Sequence, residues 1–208
     1  MLNYVTSSFV TLALVIDPIG LAPAFIALTQ DLDAVQKRAL ALRSSAIAAA
    51  ILIVTALLGN WFLAQLRIGL AAQISGGILL FGVATRMIFG EHVRQQSRDA
   101  ESAAREKIAD LAAFPLAIPL IAGPGAITAT LLLASRAGDN HPWLLALVVI
   151  ILAVALVSAL SFLLADRLAR IMGRTGNIVL ARLLGIVLAA FATQFVVDGI
   201  KGAFPWAG

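Results

Sequence analysis

The chain has 208 residues, of which 61% are hydrophobic and 12% are charged, and its formal net charge is +4. A water-soluble globule of this length needs more polar surface than these residues supply, so the composition indicates a polytopic membrane protein. The basic residues stand between apolar segments and form no stripe with aromatic residues, which excludes a nucleic-acid partner.

Six apolar segments are long enough to cross a bilayer as helices, which takes about 20 residues each. They cover residues 3–28, 41–63, 68–89, 111–134, 143–165 and 178–200. Membrane strands would show alternating ten-residue patterns, and no such pattern recurs. The N-terminus carries no basic stretch and no small-residue cleavage site, so the first segment is predicted to be a retained span. The sequence predicts an all-α membrane protein with six spans in the cytoplasmic (inner) membrane.

The positions of the basic residues predict the orientation, because basic residues in short loops stay in the cytoplasm. Only Arg67, Arg136 and Lys201 fall on one side of the predicted membrane. The other twelve fall in the first, third and fifth loops: Lys37, Arg38, Arg43, Arg86, Arg94, Arg98, Arg105, Lys107, Arg167, Arg170, Arg174 and Arg182. Both termini are therefore predicted to lie outside.

Residues 91–110 form the only sustained polar segment of the sequence. They divide one membrane domain into a first three-span unit, 1–90, and a second, 111–208. We interpret 91–110 as a cytoplasmic linker. A solvated connector fits this segment better than a regulatory or partner-binding element does.

The two units resemble each other. Gly77-Ile78-Leu79-Leu80 in the third span corresponds to Gly185-Ile186-Val187-Leu188 in the sixth, at an offset of 108 residues. Pro18 and Pro124 are 106 residues apart. Because three spans per unit reverse the orientation, the sequence predicts two inverted three-helix repeats, an arrangement that recurs in secondary transporters.

The first and fourth spans each contain a predicted break near the midplane. Asp17-Pro18-Ile19-Gly20 interrupts the first span, and Gly123-Pro124-Gly125 interrupts the fourth. Proline disrupts a continuing helix and suits the first position of a new one. We therefore expect half-helices to begin at the two prolines with Asp17 and Gly123 as N-caps, and their N-termini to form a site for a carboxylate.

Asp17 is the only acidic residue in the middle of a span, and a charge there is costly enough to suggest function. It fits a contact to a substrate ammonium, a sodium ion or a proton, and it fits a helix cap equally well; the two roles are compatible. Gly20, Gly123 and Gly125 fit close approach of a ligand or close packing of helices.

Four further polar residues are candidates for the lining of this site: Thr85, Thr128, Thr193 and Gln194. The alternative for each is a hydrogen bond to a neighbouring helix. Ala181, Gly185, Ala189 and Thr193 recur every fourth residue, which predicts a close-packing face on the sixth span.

The two breaks carry a family resemblance. DPIG at 17–20 with Pro23, together with PLAIPLIAGPGAIT at 115–128, resembles the MarC family of integral membrane proteins, which is related to SnatA-like transporters of small neutral amino acids. The resemblance covers nearly the whole chain and implies a six-span bacterial or archaeal protein related to amino-acid permeases. Leu21 stands where such proteins often have a polar residue.

The leading functional hypothesis is a secondary transporter that moves a small zwitterion, a neutral amino acid, by alternating access with no cofactor beyond Na⁺ or H⁺ coupling. The alternatives are a small-solute channel or exporter and an intramembrane enzyme. Against an enzyme, the sequence has no HExxH motif, no cysteine and no second mid-span aspartate, and both histidines fall in predicted loops. No metal site is predicted.

Overall fold

The computed structural model describes residues 2–66, 69–105, 110–138 and 140–203, and within these ranges the chain is helical with no strand. Arg67 and Lys107, on which the predicted orientation partly depends, lie outside the described residues, and so do the C-terminal residues 204–208. The all-α fold class is confirmed, whereas six spans and the inverted repeat stay predictions.

Eight α-helices and one irregular helical segment make up the described chain. The irregular segment, Ala112–Ile121, precedes the second break and is called the proline segment below; it has non-helical φ and ψ at Phe114 and Ile118, the residues before its two prolines. The regular helices are α1 (Leu2–Ile16), α2 (Ala22–Leu28), α3 (Ala34–Leu66), α4 (Gly69–Ile88), α5 (Glu91–Arg105), α6 (Pro124–Ala137), α7 (His141–Leu163) and α8 (Ala165–Ala203).

Local signals in the sequence set where two long helices begin. Before α3, the Gln36 amide N–H donates to Asp33 Oδ1 at 2.8 Å while the Asp33 N–H donates to Gln36 Oε1 at 3.1 Å, which is a capping box. Before α7, Asn140 Oδ1 accepts from the Trp143 N–H at 3.2 Å. These bonds satisfy amide groups that the first turn of a helix leaves unpaired.

Among the described residues, four helical stretches are long and apolar enough to cross a membrane: Ala34–Gly59, Ala71–Ile88, His141–Leu163 and Thr175–Ala203. The proline segment and α6 meet at 60° and make a fifth span if the bent pair is counted as one. Helix α1 has 15 residues, which is shorter than the roughly 20 that a bilayer requires. The predicted first span is thus divided between α1 and α2.

The outer surface of α7 matches a lipid environment. Leu145, Val149, Leu152 and Leu156 recur on one exposed face, while Leu147, Ile150 and Val154 are buried against the rest of the protein. A helix that is apolar on both its buried and its exposed faces is typical of a membrane span.

Helices α4 and α8 pack closely along their length. A Cβ atom at Gly185 would lie 2.8 Å from Met87 Cβ, and one at Gly77 would lie 2.8 Å from the Ala192 carbonyl oxygen. Only glycine permits this approach at the two positions, as in many membrane helix pairs. The predicted close-packing face is confirmed for Ala181 and Gly185, which are buried, but not for Thr193, which is exposed.

Candidate functional site

The first break is a single tight turn centred on a buried aspartate. Asp17 donates its amide N–H to the Ala13 carbonyl at the end of α1, and then turns left-handed with φ 47°. Its Oδ1 accepts from the Gly20 N–H at 3.1 Å, and its carbonyl accepts from the Leu21 N–H at 3.1 Å. Gly20 is required here because a Cβ atom at this position would overlap the Asp17 carboxylate.

This geometry corrects one part of the expectation for Asp17. The residue does make an N-cap type of bond to the third residue after it, but α2 begins at Ala22 with Leu21 as its N-cap, and not at Pro18. The reason is the left-handed backbone of Asp17, which places Pro18 in a separate buried turn ahead of the helix. Asp17 is 1% exposed, and its Oδ2 has no hydrogen-bond partner among the described residues.

The second break follows the prediction. Gly123 is the N-cap of α6 with extended φ and ψ of −76° and 173°, and Pro124 is the first residue of the helix. In the described part of the chain no side chain caps Gly123. The amide N–H groups of Gly125 and Ala126 in the first turn therefore lack intrahelical acceptors.

The two breaks lie side by side. Val15, two residues before Asp17, approaches Gly125 so closely that a Cβ atom on Gly125 would lie 3.1 Å from Val15 Cγ1. On the other flank, the same atom would lie 3.2 Å from Val83 Cγ2 of α4. Helix packing thus explains the absence of a side chain at Gly125.

A cavity of about 190 Å³ opens at the start of α6. Gly123, Pro124, Gly125 and Ala126 form one wall, so the first-turn amide groups of α6 lie beside it. Val15, Val83 and residues 119–121 of the proline segment supply apolar contacts. Asp17, Pro18 and Gly20 are not among the residues that line this cavity.

A second part of the lining comes from α5, within the predicted linker. His92, Gln95, Gln96 and Asp99 line the cavity, and Arg86 at the end of α4 joins them. These α5 positions are related by i, i+3, i+4 and i+7 spacing, which defines one face of a helix. Gln96 and Ala100 are buried, since α5 packs against α2 and the proline segment. Helix α5 is therefore exposed on one face and packed on the other, and the assignment of residues 91–110 as a linker stays a prediction.

Among the residues that the structure describes, the charges that line the cavity are few and of both signs. Burial, followed by the positive charge of Arg86, lowers the pKa of His92 from its usual 6.5 to about 4, so the ring is neutral at pH 7. Gln96 Nε2 lies 2.9 Å from His92 Nε2, and Gln96 Oε1 is buried without a partner among the described residues. Arg86 and Asp99 are the charged side chains of the lining.

The four other candidate residues are not among the residues that line this cavity. Thr85 donates its hydroxyl to the Phe81 carbonyl at 2.9 Å, and Thr193 donates to the Ala189 carbonyl at 2.9 Å. Thr128 is half-buried on α6, and Gln194 donates to Asp198 Oδ1 at 2.7 Å. The two threonine hydroxyls thus bond within their own helices.

A polar cluster lies at the other end of α6, in its last turn. Arg136 pairs with Asp198 of α8, with side-chain exposures of 23% and 37%. The Arg136 guanidinium carbon also lies 4.0 Å from the centre of the Phe195 ring. Nearby, the buried Tyr4 hydroxyl of α1 donates to the Leu133 carbonyl at 3.0 Å. These contacts join α1, α6 and α8.

The part of the cavity that sequence reasoning missed is the face of α5. The i, i+3, i+4, i+7 spacing of His92, Gln95, Gln96 and Asp99 was a visible signal, but a polar helical face is more often turned to water.

Within the described residues, no group of three or more His, Asp or Glu side chains is placed to hold a metal ion.

Comparison with known proteins identifies the relatives of this chain. The profile described as MarC family integral membrane protein matches residues 2–204. The UPF0056 membrane protein MJ1677 of Methanocaldococcus jannaschii is 36% identical over 203 residues, covering 97% of this chain and 98% of the relative. A UPF0056 membrane protein of Archaeoglobus fulgidus is 38% identical, and the match covers 96% of this chain and 93% of the relative. The UPF0056 membrane protein YhcE of Escherichia coli is 34% identical, and the match covers 95% of this chain and 92% of the relative. No solved structure matches.

Proposed function

We propose that this chain, which belongs to the MarC family of integral membrane proteins, is a secondary transporter of a small zwitterionic solute, a neutral amino acid, in the cytoplasmic membrane. The single observation that carries the proposal is the cavity at the N-terminus of α6. Its size suits a small solute, and the unpaired amide N–H groups beside it suit a carboxylate.

The proposed mechanism is alternating access between two inverted three-span units. The cavity lies at the first turn of α6, and the Arg136–Asp198 pair lies in its last turn, about 18 Å away from Pro124 along the helix. This separation supports a state in which the solute site is reached from the α5 side while the other end of α6 is held closed. Breaking the ion pair would accompany opening toward the outside, where both termini are proposed to lie.

Asp17 is proposed to contact the coupling ion, Na⁺ or H⁺. This role is supported by the burial of Asp17 and by its Oδ2 atom, which has no partner in the part of the chain that the structure describes, because an ionised carboxylate needs a compensating partner inside a membrane. The adjacent packing of Val15 against Gly125 gives a direct route by which an ion at the first break would affect the solute at the second. Pro18 and Gly20 would then hold the Asp17 turn, and Pro124 the start of α6.

Uptake by proteoliposomes tests the proposal. Purified protein should accumulate radiolabelled alanine, glycine or serine when a sodium or proton gradient is imposed, and much less without one. Protein-free liposomes give the background. Failure of all three solutes to enter above that background, under either gradient, would refute the transporter assignment.

A further inference from the structure

We propose that α5 supplies half of the solute site, with Asp99 and Gln96 binding the ammonium group of the zwitterion whose carboxylate binds at the start of α6. This inference rests on the proposed function, and it assigns a binding role to a segment that joins the two units of the chain.

The first argument is the unusual environment of the α5 polar face. Helix α5 packs against α2 and the proline segment, and Gln96 on its inward side is 6% exposed and is one of the residues that line the cavity. Its Oε1 atom is buried and has no hydrogen-bond partner among the described residues. A buried amide oxygen without a partner is costly unless a ligand or water satisfies it. This atom accepts hydrogen bonds only, so it selects a donor such as an ammonium group.

The second argument is the neutral state of His92. Because the His92 ring is uncharged at pH 7, it does not repel a cation, and its contact with Gln96 Nε2 leaves Oε1 as the free atom of the amide. Asp99, one helical turn beyond Gln96, is the acidic residue among the described residues of the lining.

The third argument is the distribution of charge across the cavity. The amide N–H groups at the start of α6 favour an anion, whereas the Arg86 guanidinium lies on the α5 side, where its Nη1 donates to Gln95 Oε1 at 3.4 Å. Asp99 and Gln96 Oε1 on α5 favour a cation. A solute with one carboxylate and one ammonium matches both walls, whereas propionate, which lacks the ammonium, matches only one.

The test is calorimetric binding of L-alanine and of propionate to the purified protein in detergent. Wild-type protein should bind alanine at least about 10-fold more tightly than propionate, in line with the strength of hydrogen bonds to charged groups. In the Asp99→Asn variant the alanine affinity should fall by about the same factor, and the propionate affinity should not change. Asp99→Glu should restore most of the preference, while the control Glu91→Gln, an exposed acid at the start of α5, should behave as wild type.

Two results would overturn the inference, and they are distinguishable. If wild type and Asp99→Asn prefer alanine over propionate to the same extent, α5 does not bind the ammonium, although the transporter proposal survives. If wild-type protein binds neither alanine, glycine, serine nor propionate, the proposed function fails and this inference fails with it.

Discussion

Replacement of Gly123 by alanine tests the geometry of the second break. The backbone of Gly123, with φ −76° and ψ 173°, is open to any residue, so the substitution introduces no backbone strain. The added Cβ would instead lie closer than 3.0 Å to the Pro119 carbonyl oxygen, whereas ordinary contacts begin at 3.4 Å. The backbone of the proline segment would have to move by at least 0.4 Å, the difference between these two limits.

Forced movement of a packed backbone costs about 1–3 kcal/mol. A chain of this size loses about 2–4 °C of unfolding midpoint per kcal/mol, so Gly123→Ala should lower the midpoint in detergent by roughly 2–12 °C. Pro119 also lines the cavity, so alanine affinity should fall as well. The measurements are a thermal unfolding scan and calorimetric binding on the same purified sample.

Gly82→Ala is the matched control. A Cβ atom at Gly82 would meet nothing within 4 Å, and alanine is favoured over glycine inside a helix by up to about 1 kcal/mol. This variant should keep or raise the midpoint and keep its affinity. If Gly123→Ala unfolds at the same temperature as Gly82→Ala and binds alanine normally, the close approach between Gly123 and the proline segment is refuted.

Four further predictions concern other parts of the chain. Asp17→Asn should fold normally, because asparagine keeps the capping oxygen and tolerates left-handed backbone, but it should lose gradient-driven uptake. Asp17→Ala should lose uptake and also about 2 kcal/mol of stability. A double-mutant cycle of Arg136→Ala and Asp198→Ala should give a coupling of about 0.5–1 kcal/mol in unfolding free energy. The unfolding free energy of the wild-type protein should decrease as the pH falls from 6.5 to 5, because His92 becomes protonated in the unfolded chain in this range but stays neutral in the folded protein. The His92→Gln variant should show a smaller decrease. A phosphatase reporter fused after Gly208 should be active in a bacterial host, and one in the linker inactive.

Each of these has a contrary outcome. Normal gradient-driven uptake by Asp17→Asn would reduce this residue to a turn-stabilising role. Additive effects of the two single variants would show that the ion pair contributes nothing measurable. An unchanged pH profile in His92→Gln would assign the acid sensitivity to other groups, and an inactive C-terminal reporter with an active linker reporter would reverse the topology.

Sequence reasoning predicted the features that depend on local chemistry. Long apolar segments became helices because only helices satisfy the backbone in lipid, and Gly123-Pro124 became a cap and a first turn because proline fits that position. The start of α2 was predicted four residues too early because the pattern at Asp17-Pro18 does not reveal that Asp17 is left-handed.

The cavity was harder to predict because it depends on tertiary packing. The α5 residues are polar and follow the third span, which is the pattern of a solvated connector, and only the packing of α5 against α2 brings His92 and Gln96 to the second break. Similarly, Thr85 and Thr193 were reasonable candidates for a polar lining. Nothing in the sequence distinguishes a hydroxyl that faces a cavity from one that bonds the carbonyl four residues earlier.

Counterflow in proteoliposomes tests the central claim, that the chain is an alternating-access carrier of small neutral amino acids, most directly. Vesicles preloaded with a high concentration of unlabelled alanine are diluted into a trace of labelled alanine, with no ion gradient. A carrier returns with the labelled solute after releasing the unlabelled one, so we predict a transient accumulation of label above its equilibrium level. Entry of label to equilibrium without that transient would indicate a channel, and no entry above protein-free vesicles would contradict transport of alanine altogether.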